Sequence, residues 1–229
     1  LGRPTPVRLV ELGPGRGTLM ADLLRAARVL PEFERALELH LVEISPALRQ
    51  AQQAALGGRT ATWHASLESV PEGPFLLVAN EFLDALPLRQ FERAPDAWRE
   101  RLVGAVGEAL GFALSGPVPL ALIPAARREA PVGSVLELCP AATALAAEIA
   151  RRAAAGPGAA LLIDYGYATP PLRGTLQAVS RHRPVPPLER PGEVDLTALV
   201  DFGAVTAAVR AAAAAWGPVS QGAWLRDLG

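Results

Sequence analysis

The sequence predicts an α/β protein organised on a mostly parallel, doubly wound sheet, and three observations predict it. Apolar runs of strand length alternate with helical patterns through the first eighty residues. The first run passes directly into a glycine-rich turn, Glu11-Leu12-Gly13-Pro14-Gly15-Arg16-Gly17, and then into a helix. The run Phe75–Ala79 is apolar throughout, as a strand covered on both faces of a parallel sheet requires.

In order, Val7–Leu12 reads as the first strand and Thr18–Val29 as the first helix, stopped by Pro31. Leu37–Ile44 is the second strand. Ser45 then caps a helix that has Pro46 in its first turn, runs to about Leu56 and is closed by Gly57-Gly58. Arg59–His64 is a third strand and Phe75–Ala79 a fourth. Past Pro87 the pattern shifts to short antiparallel strands, Leu88–Arg93, Trp98–Val106 and Ala109–Leu114, with turns at Pro95-Asp96 and Gly107-Glu108. Gly116–Pro131 reads as loop, Val135–Leu138 as an edge strand and Pro140–Ala155 as an alanine-rich helix. Ala159–Asp164 is the clearest buried strand of the second half. Gly174–Val179 reads as a strand and Pro184–Pro191 as loop. A helical region is expected from Asp195 to Ala215, and a last strand at Trp216–Ser220. The expected organisation is an α/β domain of residues 1–87 and 133–229 with an inserted antiparallel lobe at 88–132.

Composition narrows the function. Over 229 residues, 50% are apolar and 20% charged, with a formal net charge of −1, which argues against a nucleic-acid binder or a protein held on an anionic membrane. Cys139 is the sole cysteine, and His40, His64 and His182 are scattered, so a zinc or histidine metal cluster is not expected. His182 reads as a loop histidine. Trp63, Trp98, Trp216 and Trp224 read as packing residues, since no basic residues interleave with them. No apolar run approaches a membrane span of about 20 residues and no secretory leader is visible, so a cytoplasmic setting is the default. All 22 basic residues are arginine, a bias that fits a GC-rich bacterial genome. The chain lacks an initiator methionine, opens on residues that read as a linker and ends on Leu228-Gly229. We expect a fragment of a longer protein. The oligomeric state stays open.

The glycine turn points to a nucleotide-like ligand with an anionic group, held near the N–H groups of the helix that follows. A dinucleotide fold asks for G-x-G-x-x-G, whereas here the third glycine arrives one residue early and Glu11 precedes the turn. The E-x-G-x-G-x-G pattern is similar to the first motif of class I S-adenosylmethionine methyltransferases. Glu11, Gly13, Gly15 and Gly17 are then cofactor residues, and a tight structural turn is the competing reading. Glu43, 32 residues after Glu11 at the end of the second strand, suits the two ribose hydroxyls, against the alternative of an ordinary solvated strand-end carboxylate. The end of the third strand, around Ser66 and Leu67, would border the adenine. Asn80, directly after the fourth strand, can hold an amine through its carbonyl. Glu81 and Asp84 place two carboxylates near each other, which suits a cationic acceptor; the competing reading has Asp84 capping the following turn and Glu81 structural. Asp164 ends the fifth strand beside Tyr165 and Tyr167, where it either orders a substrate or caps a loop. Glu137 is a further acidic candidate.

Beyond these residues, VELGPGRGTLMADLLR, LHLVEISPALRQAQ, NEFLDALPLRQF, WRERLV, LLIDYGY, GTLQAVSRH, PGEVDLTALVDF and Gln221 together resemble the MidA-like family. The match runs nearly the whole chain in order. The resemblance implies a Rossmann-like class I methyltransferase fold with an inserted substrate lobe and S-adenosylmethionine as cofactor. It also implies a protein arginine as acceptor, in the mitochondrial branch a subunit of respiratory complex I. By position, Gly13, Gly15, Glu43 and Asn80 would line the cofactor pocket, and Glu81, Asp84 and Asp164 would face the acceptor. Family members carry a segment before the glycine turn and continue past the residues at 228–229. Val179 and Ser180 stand where the family pattern has Tyr and Arg. The rival reading is an assembly or interaction factor that keeps the fold without chemistry, and an NAD-dependent oxidoreductase is disfavoured by the glycine spacing.

Overall fold

A computed structural model describes residues 2–181 and 183–229, with the backbone alone at Val106; His182 lies outside the described residues. The chain forms two compact units, one of residues 1–83, 144–164 and 205–229 and one of residues 84–143 and 165–204.

The first unit begins with β1 (Val7–Leu12), α1 (Thr18–Ala27), α2 (Pro31–Ala36), β2 (Leu37–Val42) and α3 (Pro46–Ala55). It continues with β3 (Ala61–His64) and β4 (Phe75–Asn80). After the second unit's β5 (Arg89–Arg93), β6 (Trp98–Val106), β7 (Ala109–Pro117) and β8 (Val135–Leu138), the helix α4 (Pro140–Ala155) leads into β9 (Gly158–Ile163). The five strands of the first unit lie in the order β3-β2-β1-β4-β9. Every pairing is parallel, for example Glu11 with Leu41 on one side and Val78 on the other. Strand order reverses between β1 and β4, the position where open parallel sheets bind ligands outside their carboxyl ends.

Alternation along β1 sends side chains to both faces. Val10 and Leu12 join Leu67, Val70 and Ile149 of α4, while Leu9 joins Met20 and Leu24 of α1 and Leu39, Leu41 and Leu56. Pro31 does not simply end the first helix. It starts α2, at whose first turn a proline loses nothing because the N–H there has no intrahelical partner. The expected burial holds for β4, where Phe75, Leu77, Val78 and Ala79 are buried. It fails for β9, which edges the sheet with Leu161 40% exposed.

In the second unit β7-β6-β5-β8 form an antiparallel sheet. Phe91, Trp98, Leu136 and Ile123 form its core. Trp98 packs as expected, but Trp216, in the first unit, is 90% exposed. The rest of the second unit holds β10 (Gly166–Tyr167), β11 (Gln177–Ser180), β12 (Arg183–Val185), β13 (Asp195–Thr197) and β14 (Val200–Asp201). The expected helix over 195–215 is therefore wrong at its start. Asp195–Thr197 pairs with β11, Val200–Asp201 pairs with β10, and only α5 (Phe202–Arg210) is helical. Residues 216–220 form no strand. Ser220 instead caps α6 (Gln221–Leu228), accepting from the Ala223 N–H at 3.3 Å.

Candidate functional site

β1 ends at the reversal point of the sheet, and its last residues build the site. Glu11 is 3% exposed, its Oε2 has no hydrogen-bond partner, and burial pushes its carboxyl from the ordinary 4.5 up to about 7. A buried carboxylate oxygen without a partner is costly unless something else meets it.

The turn that follows depends on glycine geometry. Gly13, Gly15 and Gly17 take φ of +60°, +54° and +83°, a region that side chains with a Cβ disfavour. At Gly13 a Cβ would sit 2.5 Å from the Phe82 ring, whereas at Gly15 it would meet nothing within 4 Å. The turn closes through the Gly17 N–H on the Pro14 carbonyl at 2.8 Å, and the Gly13 N–H reaches the Val42 carbonyl at 3.0 Å. Gly17 is also the N-cap of α1. No side chain caps that end and its first turn carries no acid, so its N–H groups and dipole are open to an anion.

Glu43 directly follows β2, is buried, and has a carboxylate held from two sides. The Ser45 N–H donates to Oε1 at 2.8 Å and Gln52 Nε2 to Oε2 at 3.2 Å. The same Gln52 nitrogen donates to the Gly15 carbonyl at 2.8 Å, and Trp63 Nε1 donates to Gln52 Oε1 at 2.8 Å. Arg49 Nε donates to the Glu43 carbonyl at 2.8 Å. Glu11, the three glycines and Glu43 are thus brought together on the adjacent ends of β1 and β2. Gln52, Trp63 and Arg49 complete the group and were missed. A signal for Gln52 was available: it stands on the stripe Leu48–Gln52 of α3 that continues to its C-cap Leu56, where the 3.6-residue period expects an apolar side chain.

After β3, the Ser66 hydroxyl bonds Glu68, whose carboxyl it lowers. Leu67 puts its side chain into the core, and Arg152 donates to its carbonyl at 2.9 Å and to the Val70 carbonyl at 2.9 Å. His40 Nδ1 and His64 Nε2 lie 2.9 Å apart, and burial lowers the pKa of both.

At the end of β4, Asn80 is half-buried and paired with Ile163 of β9. Glu81 is exposed with φ +49°, the left-handed region unusual for a residue with a side chain, and its N–H donates to the Ile163 carbonyl at 2.9 Å. Asp164 Oδ2 accepts from the Leu83 N–H at 2.9 Å, so this carboxylate holds the turn that presents Glu81 and Phe82. Asp84 belongs to the second unit, where its carbonyl accepts from the Ala198 N–H at 3.0 Å.

Elsewhere in the second unit, Glu137 is a structural carboxylate. It accepts from Gln90 at 2.7 Å, from the Thr175 N–H at 2.9 Å and from the Thr175 hydroxyl at 2.6 Å. Tyr167 is pushed up to about 12 by burial and by the nearby Asp201 and Glu137 charges, so its phenol stays a donor.

Comparison with known proteins bears on the family and the fold. The family model described as "Putative S-adenosyl-L-methionine-dependent methyltransferase" matches residues 1–219. The Xenopus laevis protein named "Protein arginine methyltransferase NDUFAF7, mitochondrial" is 34% identical over 258 residues, covering 100% of this chain and 58% of that protein. A crystal structure of an uncharacterized Burkholderia thailandensis protein superposes with a TM-score of 0.74 at 32% identity, over 90% of this chain and 57% of that one. A second, from the same organism and bound to S-adenosyl-homocysteine, gives 0.72 at 31% identity, over 90% and 55%. The chain spans somewhat more than half the length of the relatives it matches. Over that length, fold and sequence agree: the chain belongs to the MidA-like family of S-adenosylmethionine-dependent methyltransferases.

Proposed function

We propose that the chain carries the cofactor-binding half-site of a methyltransferase that modifies arginine on a protein. The observation that carries this reading is the pairing, at the sheet's reversal point, of a partnerless buried carboxylate oxygen on Glu11 with an uncapped helix end on α1. The α-amino acid end of S-adenosylmethionine has one group for each: an ammonium for Glu11 and a carboxylate for the α1 N–H groups. Glu43, held in place directly after β2, suits the ribose diol. Bound there, the cofactor supplies a methyl group on a sulfonium, an electrophile that needs alignment more than activation.

The chain's own part lies then in holding the acceptor. Glu81 stands at the end of β4 in a constrained backbone conformation, braced by Asp164 through Leu83. Its carboxylate is proposed to orient a guanidinium so that one nitrogen faces the methyl group. Asp84, three residues on, is proposed for the same acceptor on sequence spacing. A protein arginine as the acceptor is supported by relatives named protein arginine methyltransferases. A respiratory-complex subunit and a cytoplasmic setting, both expected from the sequence, are part of the same proposal. Among the described residues no helix is long and apolar enough to cross a membrane.

The test is transfer of a labelled methyl group from S-adenosylmethionine into protein of a cell extract, followed by amino-acid analysis. Label recovered as methylarginine supports the reading. Cofactor binding without transfer to any protein favours an assembly factor in its place.

A further inference from the structure

Gln52 is 0% exposed, and its amide hydrogen bonds go to the candidate site. Nε2 donates both to the Gly15 carbonyl at 2.8 Å and to Glu43 Oε2 at 3.2 Å. Trp63 Nε1, which can only donate, lies 2.8 Å from Gln52 Oε1 and so fixes which end of the amide faces the site. Gly17 packs on the same residue, its missing Cβ lying 3.1 Å from the Gln52 Cα. One position of α3 therefore touches the glycine turn twice and the β2 carboxylate once. A methionine or leucine would serve the Leu48–Leu56 stripe as packing. Burying an amide there is costly unless its partners repay it.

We propose that Gln52 is a positioning residue for the ribose. It fixes the orientation of the Glu43 carboxylate relative to the Gly13–Gly17 turn and thereby sets cofactor affinity. With Ser45 on Oε1 and Gln52 on Oε2, each oxygen keeps a lone-pair direction for one ribose hydroxyl. Loss of the amide lets the carboxylate rotate and uncouples it from the turn, as happens when a functional group loses the residues that support it. The inference rests on the cofactor reading above.

The experiment is calorimetric titration of S-adenosylhomocysteine into wild type, Gln52→Met, Glu43→Gln and the double variant. Circular dichroism checks that each is folded. Gln52→Met is expected to weaken binding by about tenfold or more, in line with loss of a hydrogen bond to a charged group. The double variant is expected to bind within about threefold of Glu43→Gln alone, because both changes remove one arrangement. Losses that multiply, or wild-type affinity in Gln52→Met, overturn the proposal, since a purely structural glutamine shows no coupling to Glu43. Should Gln52→Met not fold, Gln52→Leu removes both donors without setting a second carboxyl beside Glu43. It is expected to bind about tenfold more weakly, and unchanged affinity overturns the proposal. Absence of binding by wild type removes the cofactor reading itself, an outcome distinct from binding that ignores Gln52.

Discussion

Replacing Glu11 by glutamine tests the electrostatics of the site. Glu11 is buried at the end of β1, and desolvation pushes its carboxyl from 4.5 up to about 7. Because the folded value lies above the unfolded one, the protonated form favours the fold. That contribution is fully present below pH 4.5 and is lost as the pH rises to about 7. At about 1.4 kcal/mol per pH unit, the ionised carboxyl costs the folded chain about 3 kcal/mol at pH 8. Glutamine is nearly isosteric and does not ionise. Urea unfolding should therefore show Glu11→Gln gaining on wild type by up to about 3 kcal/mol between pH 4.5 and 8, with most of the change before pH 7. Ligand binding should reverse the preference, because an ammonium beside Oε2 favours the ionised form. Titration of S-adenosylhomocysteine near pH 6, in buffers of different ionisation heat, should register proton release from wild type and less from the variant. A stability difference independent of pH would refute the account of Glu11.

Three further substitutions separate the roles of neighbouring residues. Gly15→Val should leave the chain folded, since its Cβ meets nothing within 4 Å, at a backbone cost of about 1–3 kcal/mol. Calorimetry should nonetheless show S-adenosylhomocysteine affinity down by more than about tenfold. Arg152→Met strips the Leu67 and Val70 carbonyls of a buried donor and leaves Glu148 one partner short, so urea unfolding should report a loss of about 3 kcal/mol. Asp164→Ala removes the acceptor of the Leu83 N–H and should cost about 1–3 kcal/mol. Initial-rate measurements should find its methyl transfer slowed more than its cofactor affinity.

The parallel sheet was legible because its strands are the apolar runs that burial on two faces demands. Val7–Leu12 and Phe75–Asn80 stand where those runs stand. The helix Pro140–Ala155 was equally plain between its proline and the Gly156-Pro157 stop. Short elements were not. Asp195–Thr197 and Val200–Asp201 offer too few residues to show a two-residue period, so the apolar residues around them read as a helix. Proline misled at Pro31, where stop and start carry one signature. The exposure of Leu161 depends on β9 being an edge, a fact of strand order that no local pattern holds. That Glu11, the glycines and Glu43 lie together could be anticipated from their spacing at the ends of adjacent strands. The joining of Gly15 to Glu43 through Gln52 spans 37 residues on one side and nine on the other, and needs the fold to be seen.

The Gly13–Gly17 turn, with Glu11 and Glu43, is proposed to hold S-adenosylmethionine. Calorimetric titration of the protein with S-adenosylhomocysteine, beside NAD as control, tests this most directly. Saturable one-to-one binding of S-adenosylhomocysteine, weakened by Glu43→Gln, is expected, with no comparable heat from NAD. Silence with S-adenosylhomocysteine, or tighter binding of NAD, would contradict the proposal.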